Sequence, residues 1–200
     1  TGDPTYYNSG NINISGNITV GEKLAVIASG NITNSGAGGY SITARNAGVG
    51  QDITMIAGAT FTTASAGAGT ATLTGAPPAG AVPGGGTVTV TGGSAAGGSI
   101  TLTTGAGVSL IDASGTTGAG GNVTLLAFAD ATGATGGTIA LPTGSNFRTD
   151  GASGFANGNI ALGAGRTGGA AGNSIQAGSL TAFGAGTTGG SINVAVGQPT

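Results

Sequence analysis

Gly121-Asn122-Val123-Thr124-Leu125 and Gly158-Asn159-Ile160-Ala161-Leu162 are two copies of one pattern: glycine, a small polar residue, Ile or Val, any residue, then Leu or Val. Outward from them it recurs at Gly16-Asn-Ile-Thr-Val20, Gly30-Asn-Ile-Thr33, Gly86-Thr-Val-Thr-Val90, Gly98-Ser-Ile-Thr-Leu102, Gly137-Thr-Ile-Ala-Leu141 and Gly190-Ser-Ile-Asn-Val194. Looser copies begin near Gly50, Thr70 and Gly172, giving eleven starts whose ten intervals span 174 residues, about 17 each. Self-similarity at such a spacing marks a repeat architecture, and the repeat decides the fold before any single element does.

Within each copy apolar and polar residues alternate, the period of a strand with one buried face. In Thr87-Val88-Thr89-Val90-Thr91 both Val point one way and the Thr the other. No stretch sustains an apolar stripe at helical spacing, and glycine-rich spacers oppose helix at about 1 kcal/mol per position. Hairpin turns of the Asn-Gly or Asp-Gly kind are scarce, since Asn157-Gly158 and Asp150-Gly151 both sit in longer loops. The expected fold is all-β: a parallel β-solenoid of about ten coils, irregular in length and averaging about 17 residues. Right-handedness follows from the general preference of parallel crossovers. At about 4.8 Å per strand, such a stack makes a rod of order 50 Å.

The expected interior is a spine of Ile12, Ile53, Val88, Ile100, Val123, Ile160 and Ile192. One domain spans 1–200, with 1–9 an N-terminal extension or plug and 10–197 the coils. Long coils hold a second strand, at Val108–Asp112 within Gly98–Gly120 and at Asn146–Thr149 within Gly137–Asn157. Gly121–Gly136 and Gly158–Ala171 carry one strand each, so a higher period lies near 37 residues. Pro77, Pro78 and Pro83 place Ala76–Gly85 in an excursion outside the sheets, because proline cannot donate to a ladder.

Composition removes whole classes of function. With no His and no Cys, zinc sites of the common kinds, Cys nucleophiles and Ser-His-Asp triads cannot be built. Four basic residues, Lys23, Arg45, Arg148 and Arg166, in a chain of net charge −2 give no footprint for nucleic acid or anionic lipid. The apolar runs Leu24–Ala28 and Val123–Ala129 fall far short of the roughly 20 residues of a membrane helix. Three Tyr and five Phe are too few for the aromatic girdles of an outer-membrane barrel. Forty-six glycines without a strict Gly-X-Y period exclude collagen. Thr1-Gly2-Asp3-Pro4 is no signal peptide, so the chain is expected to be processed or to be a segment of a longer one. A charge-poor, Thr/Asn/Gly-rich surface without Cys fits a bacterial exported protein.

The repeated Gly-Gly/Asn-x-Ile/Val-x-Leu/Val units with Thr-rich exteriors resemble the filamentous-haemagglutinin-like and β-strand-repeat surface proteins of bacteria, over about residues 10 to 197. The resemblance implies a secreted right-handed parallel β-helix serving as an adhesin or a cell-surface fibre.

Candidate sites are few. Asp112, Asp130 and Asp150 follow strands in successive units, and a ladder of Asp could hold Ca²⁺. Asp also caps turns with its own backbone, and that reading is preferred because the Gly-Gly-x-Gly-x-Asp signature of calcium-binding solenoids is absent. Paired-carboxylate catalysis is not expected from six scattered acids. Thr72/Thr74, Thr87/Thr89/Thr91 and Thr101/Thr103 suggest an ice-matching face, but Ala140, Ala161, Gln176 and Asn193 interrupt it. Sequons occur at Asn13, Asn17, Asn31 and Asn122. Gly118–Gly121 reads as a corner and Tyr6-Tyr7 as an aromatic plug. No catalytic, cofactor-binding or metal-ligating residue is assigned, and no cofactor is expected. The expected role is a non-enzymatic subunit of an extracellular fibre, self-associating through open solenoid ends that lack caps. The alternative is an adhesin rod whose corner loops bind glycan or another surface protein.

Overall fold

The computed structural model describes residues 4–62, 88–167 and 174–197 in full and the backbone of 70–73 and 83–84. Its elements are all strands, so no helix is long and apolar enough to cross a membrane among the described residues. The chain visits three sheets in turn. A first circuit runs β1 (Thr5–Asn8), β2 (Asn11–Ile14) and β3 (Ile18–Val20), and a second β4 (Leu24–Ala28), β5 (Ile32–Asn34) and β6 (Tyr40–Asn46). The short β7 (Val49–Gly50) folds back antiparallel on β6. The third circuit opens with β8 (Ile53–Ala57) and is broken by an insert carrying β9 (Ala59–Thr62), β10 (Thr70–Leu73), β11 (Pro83–Gly84) and β12 (Thr89–Gly93). It resumes with β13 (Ile100–Thr101) and β14 (Val108–Asp112). The fourth runs β15 (Val123–Ala127), β16 (Ile139–Ala140) and β17 (Asn146–Arg148). The fifth runs β18 (Ile160–Ala164), β19 (Ile175–Gln176) and β20 (Ser179–Thr181), and β21 (Ile192–Val196) then returns to the first sheet.

Pairing within each sheet is parallel from circuit to circuit: β1-β4-β8-β15-β18-β21, then β2-β5-β13-β16-β19, then β3-β6-β14-β17-β20. Among the described residues the antiparallel strand pairs are β1–β11, β9–β12 and β6–β7, with one isolated antiparallel bridge between Ala129 and Gly136. From Gly98 onward the sequence motif lands on the second and first sheets in turn, the Gly98, Gly121, Gly137, Gly158, Gly172 and Gly190 copies becoming β13, β15, β16, β18, β19 and β21, whereas the Gly16 copy becomes β3 of the third sheet. A step of about 17 residues is therefore the distance between two sheets and not a complete turn. Hydrogen-bonded neighbours such as Val123 and Ile160 are 37 residues apart, the higher period. In place of ten coils there are five circuits plus β21. Six parallel first-sheet strands at about 4.8 Å rise about 24 Å from β1 to β21, half the expected 50 Å. The second strands expected in the long units are β14 and β17, members of the third sheet.

Alternate residues of all three sheets point into one core. Register stacks them in columns: Leu24–Ile53–Val123–Ile160–Ile192, Ile12–Ile32–Ile100–Ile139–Ile175, and Ile18–Ile42–Ile111–Phe147–Leu180. Like residues stacked on like fill the space with little loss of shape, and each fully buried Ile contributes about 1.5–3 kcal/mol. Of the expected spine, Ile12, Ile53, Ile100, Val123 and Ile160 are fully buried. Ile192 is half exposed, because no strand follows β21 among the described residues. Val88 belongs to a second cluster on the outer face of the first sheet, where Tyr7, Ile27, Ile56 and Leu126 stand in one column under Phe61, Phe128 and Val90. The antiparallel β9–β12 hairpin supplies that cover, and so the Val88/Val90 face packs outside the main core. Tyr7 meets Phe61 edge-on at 6.0 Å between ring centroids.

The excursion expected around the prolines is an insert, but Pro83–Gly84 is not outside the sheets: it pairs antiparallel with β1. Proline is tolerated there because the position is an edge. Pro77, Pro78, Thr74 and Thr87 lie outside the described residues. The insert also sends β10 back to pair parallel with β2, Thr70 opposite Asn11 through Leu73 opposite Ile14. At the head of the stack β10 and β11 thus lie over the first circuit, and β10 is itself an edge strand among the described residues. Residues 5–8 are likewise a first-sheet strand and not a plug ahead of the first coil. Tyr6 points into the main core and Tyr7 into the second cluster.

Candidate functional site

The polar position of the motif makes ladders along the stack. In the first sheet Asn122 donates its backbone N–H to Asp52 Oδ1 at 2.9 Å, Asn159 to Asn122 Oδ1 at 2.9 Å, and Ser191 to Asn159 Oδ1 at 2.8 Å. Lys23 extends the column at the head side, with Nζ 3.2 Å from Asp52 Oδ2. In the second sheet Asn31 donates to Asn11 Oδ1, Ser99 to Asn31 Oδ1 and Thr138 to Ser99 Oγ. In the third, Ser41 donates to Asn17 Oδ1. Each of these backbone bonds satisfies a donor just ahead of a strand or, for Ser41, at the start of β6, and is worth about 0.5–1.5 kcal/mol. Sequons Asn17, Asn31 and Asn122 are thus rungs of ladders, and Asn13 donates its side-chain amide to Ser35 Oγ. The preceding glycine is required by closeness: a Cβ on Gly158 would collide with the Gly121 carbonyl oxygen, and one on Gly190 with that of Gly158. Gly118–Gly121 is indeed a corner between β14 and β15.

Charges pair locally. Asp112, buried at the end of β14, receives Arg45 Nη2 at 2.9 Å and the Ser114 N–H at 2.9 Å, while Arg45 Nε reaches the Ser114 carbonyl at 2.7 Å. This clamp ties the second circuit to the third at the corner leaving the third sheet. Arg148 and Asp150 pair at 2.9 Å on the next circuit at that corner. Asp130 sits at the other corner, after β15, capping a turn through Thr132 Oγ1 and the N–H groups of Thr132 and Ala134. The Thr132 hydroxyl first, and after it the Ala134 and Thr135 N–H groups and the Thr135 hydroxyl, hold its carboxyl down at about 2 against an opposing effect of desolvation. Partial burial works to raise the Asp52 carboxyl, but the Asn122 N–H, Lys23 and the Asn122 side-chain amide outweigh it and hold it below the usual range. Asp112, Asp130 and Asp150 therefore form no column, and among the described residues no three acidic side chains converge.

Thr101 stacks in an outward column of Asn13, Thr33, Ala140 and Gln176, and Thr124 in one of Ala25, Thr54, Ala161 and Asn193. Thr89 and Thr91 lie on the antiparallel hairpin. These columns are chemically mixed.

What remains is the tail of the stack. β21 pairs with β18 on one side and with nothing on the other among the described residues. Ile192, Val194 and Val196 stand in register on Ile160, Leu162 and Ala164, yet are 46%, 50% and 56% exposed. The other large exposed apolar side chains, Val49, Phe155 and Phe183, all lie on the corner between the third and first sheets. An edge with free backbone groups and an uncovered apolar row is a template for another strand.

The ladders and the insert's return to the head were not read from the sequence. Asn or Ser directly before each apolar residue was a visible signal for the ladders, and the adjacent pairs Val26-Ile27, Met55-Ile56 and Leu125-Leu126 for a first sheet covered on both faces. No protein-family model, curated protein or solved structure matches the chain.

Proposed function

We propose that the chain is a non-enzymatic structural unit of an extracellular bacterial surface fibre, built as a right-handed parallel β-solenoid. The cyclic visits to three parallel sheets around one core support the solenoid, and the resemblance of the repeats to filamentous-haemagglutinin-like proteins supports the setting. The observation that carries the assembly role is β21, whose Ile192, Val194 and Val196 continue the interior column into solvent. Parallel repeat walls need only a further strand in the same register to cover such a row. Lys23, Arg45 and Arg148 are paired with acids, and no acidic cluster is left for polysaccharide chemistry among the described residues.

Electron microscopy of the purified chain tests this role. Unbranched polymers growing with concentration are expected, and polysaccharide turnover lost on Asp112→Asn would overturn the assignment. A second reading, an adhesin rod, draws on Val49, Phe155 and Phe183 beside Arg148 and Asp150. It predicts isolated rods that bind glycans and lose binding on Phe183→Ser.

A further inference from the structure

The two ends of the stack are staggered in complementary ways. At the tail, among the described residues, β21 adds one strand to the first sheet while the second sheet reaches only to β19 and the third to β20. At the head, β10 adds one strand to the second sheet, parallel to β2. We propose that two copies of this chain join head to tail, with β21 of one and β10 of the other filling the same level of a shared circuit. This rests on the fibre reading above and names its junction.

Register fixes the contact. The outward column Ala25–Thr54–Thr124–Ala161–Asn193 begins with Thr5, and the inward column Val26–Met55–Leu125–Leu162–Val194 begins with Tyr6. A β1 laid on β21 in that register puts Thr5 beside Asn193 and Tyr6 on Val194. The half-exposed row Ile192, Val194 and Val196 is then covered as Ile160 and Leu162 are covered by β21. The place it needs on β1 is held by β11, through only two residue pairs, Thr5 with Gly84 and Tyr6 with Pro83. A two-residue antiparallel latch beginning with proline is a weak competitor for a five-residue parallel strand. β10 stays where it is, pairing with β2 on one side and offering its other edge to β19 of the neighbouring copy. Because the joined surfaces are different, the contact is heterologous and repeats without closing, which yields a filament.

The chain has no cysteine, so introduced ones report without background. Adjacent parallel strands place opposed Cα atoms about 4.8 Å apart, inside the range a disulfide spans. Full-length Thr5→Cys and Asn193→Cys chains, mixed and oxidised, are expected to give the mixed dimer as the main product. Adding Val194→Lys to the Asn193→Cys chain is expected to abolish that product, because a charge then faces the buried row. Predominance of Asn193→Cys homodimers, a tail-to-tail pair, overturns the junction. So does the absence of any cross-link. Polymers seen by microscopy alongside either result keep the fibre reading and sink the junction alone, whereas the absence of polymers sinks the fibre reading.

Discussion

The head and the tail of the stack are built from the same motif and meet solvent differently. At the head, Ile12, Ile14 and Ile18 of the first circuit are fully buried, with β10 laid on β2 and β11 on β1. At the tail, Ile192, in the corresponding motif position to Ile12, is 46% exposed. The difference teaches that burial in a stacked fold is set by which strands have neighbours, not by the local pattern. It also gives the particle a direction: one end brings its own cover and the other does not.

Measurements at matched positions can break this contrast. Ile12→Ala is expected to cost about 2–5 kcal/mol, as for other fully buried large-to-small changes, against under about 1 for Ile192→Ala. Chemical denaturation of both variants checks it, and equal losses would mean that the head is no better covered than the tail. Away from both ends, Arg45→Ala leaves the buried Asp112 carboxylate without its cation and is expected to cost about 2–3 kcal/mol. Nearer the tail, Asn159→Ala removes the acceptor of the Ser191 N–H and hydroxyl and is expected to cost about 1 kcal/mol. Proton exchange at the Ser191 amide should speed up selectively in that variant.

The smallest effect concerns acid. The Asp130 carboxyl is held at about 2 in the folded chain and lies near 3.9 when unfolded, so its contribution is complete above about pH 4 and fades as pH falls toward 2. Asp52, also held low, adds to the same trend. The melting temperature should therefore drop across that window, and Asp130→Asn should flatten part of the drop by lowering the neutral-pH value while leaving the value near pH 2 little changed. A profile as steep in Asp130→Asn as in the parent would count against the turn as its origin.

Strand identity was legible because the alternation in Val123-Thr-Leu and Ile160-Ala-Leu is local. So were the third-sheet strands at Val108–Asp112 and Asn146–Arg148, which the unequal spacings exposed. Circuit length was not, because two sheets share one motif and spacing alone cannot tell a neighbour across the core from a neighbour in the ladder. β1, β4 and β6 lack the glycine-polar opening of strands such as β5, β13 and β15, so counting motifs missed them. The return of β10 to β2 is a contact across 59 residues, from Thr70 to Asn11, with no signature beyond an ordinary repeat copy. Asp112 and Asp150 lie at one corner on successive circuits; the Arg45 partner of Asp112 was invisible, since it comes into reach only once a full circuit has been stacked, whereas Arg148 stands two residues from Asp150.

Leu24 donates to Asp52 at 2.9 Å, Ile53 to Asn122 at 2.8 Å and Val123 to Asn159 at 2.8 Å, although the paired strands are separated by 29, 70 and 37 residues. The ladder is blind to how much chain passes between its steps, and closing a loop of twice the length costs only about 0.6 kcal/mol more. Such a scaffold tolerates unequal lengths of chain between its steps, the segment between Thr62 and Thr89 included, while the pairings downstream keep their register.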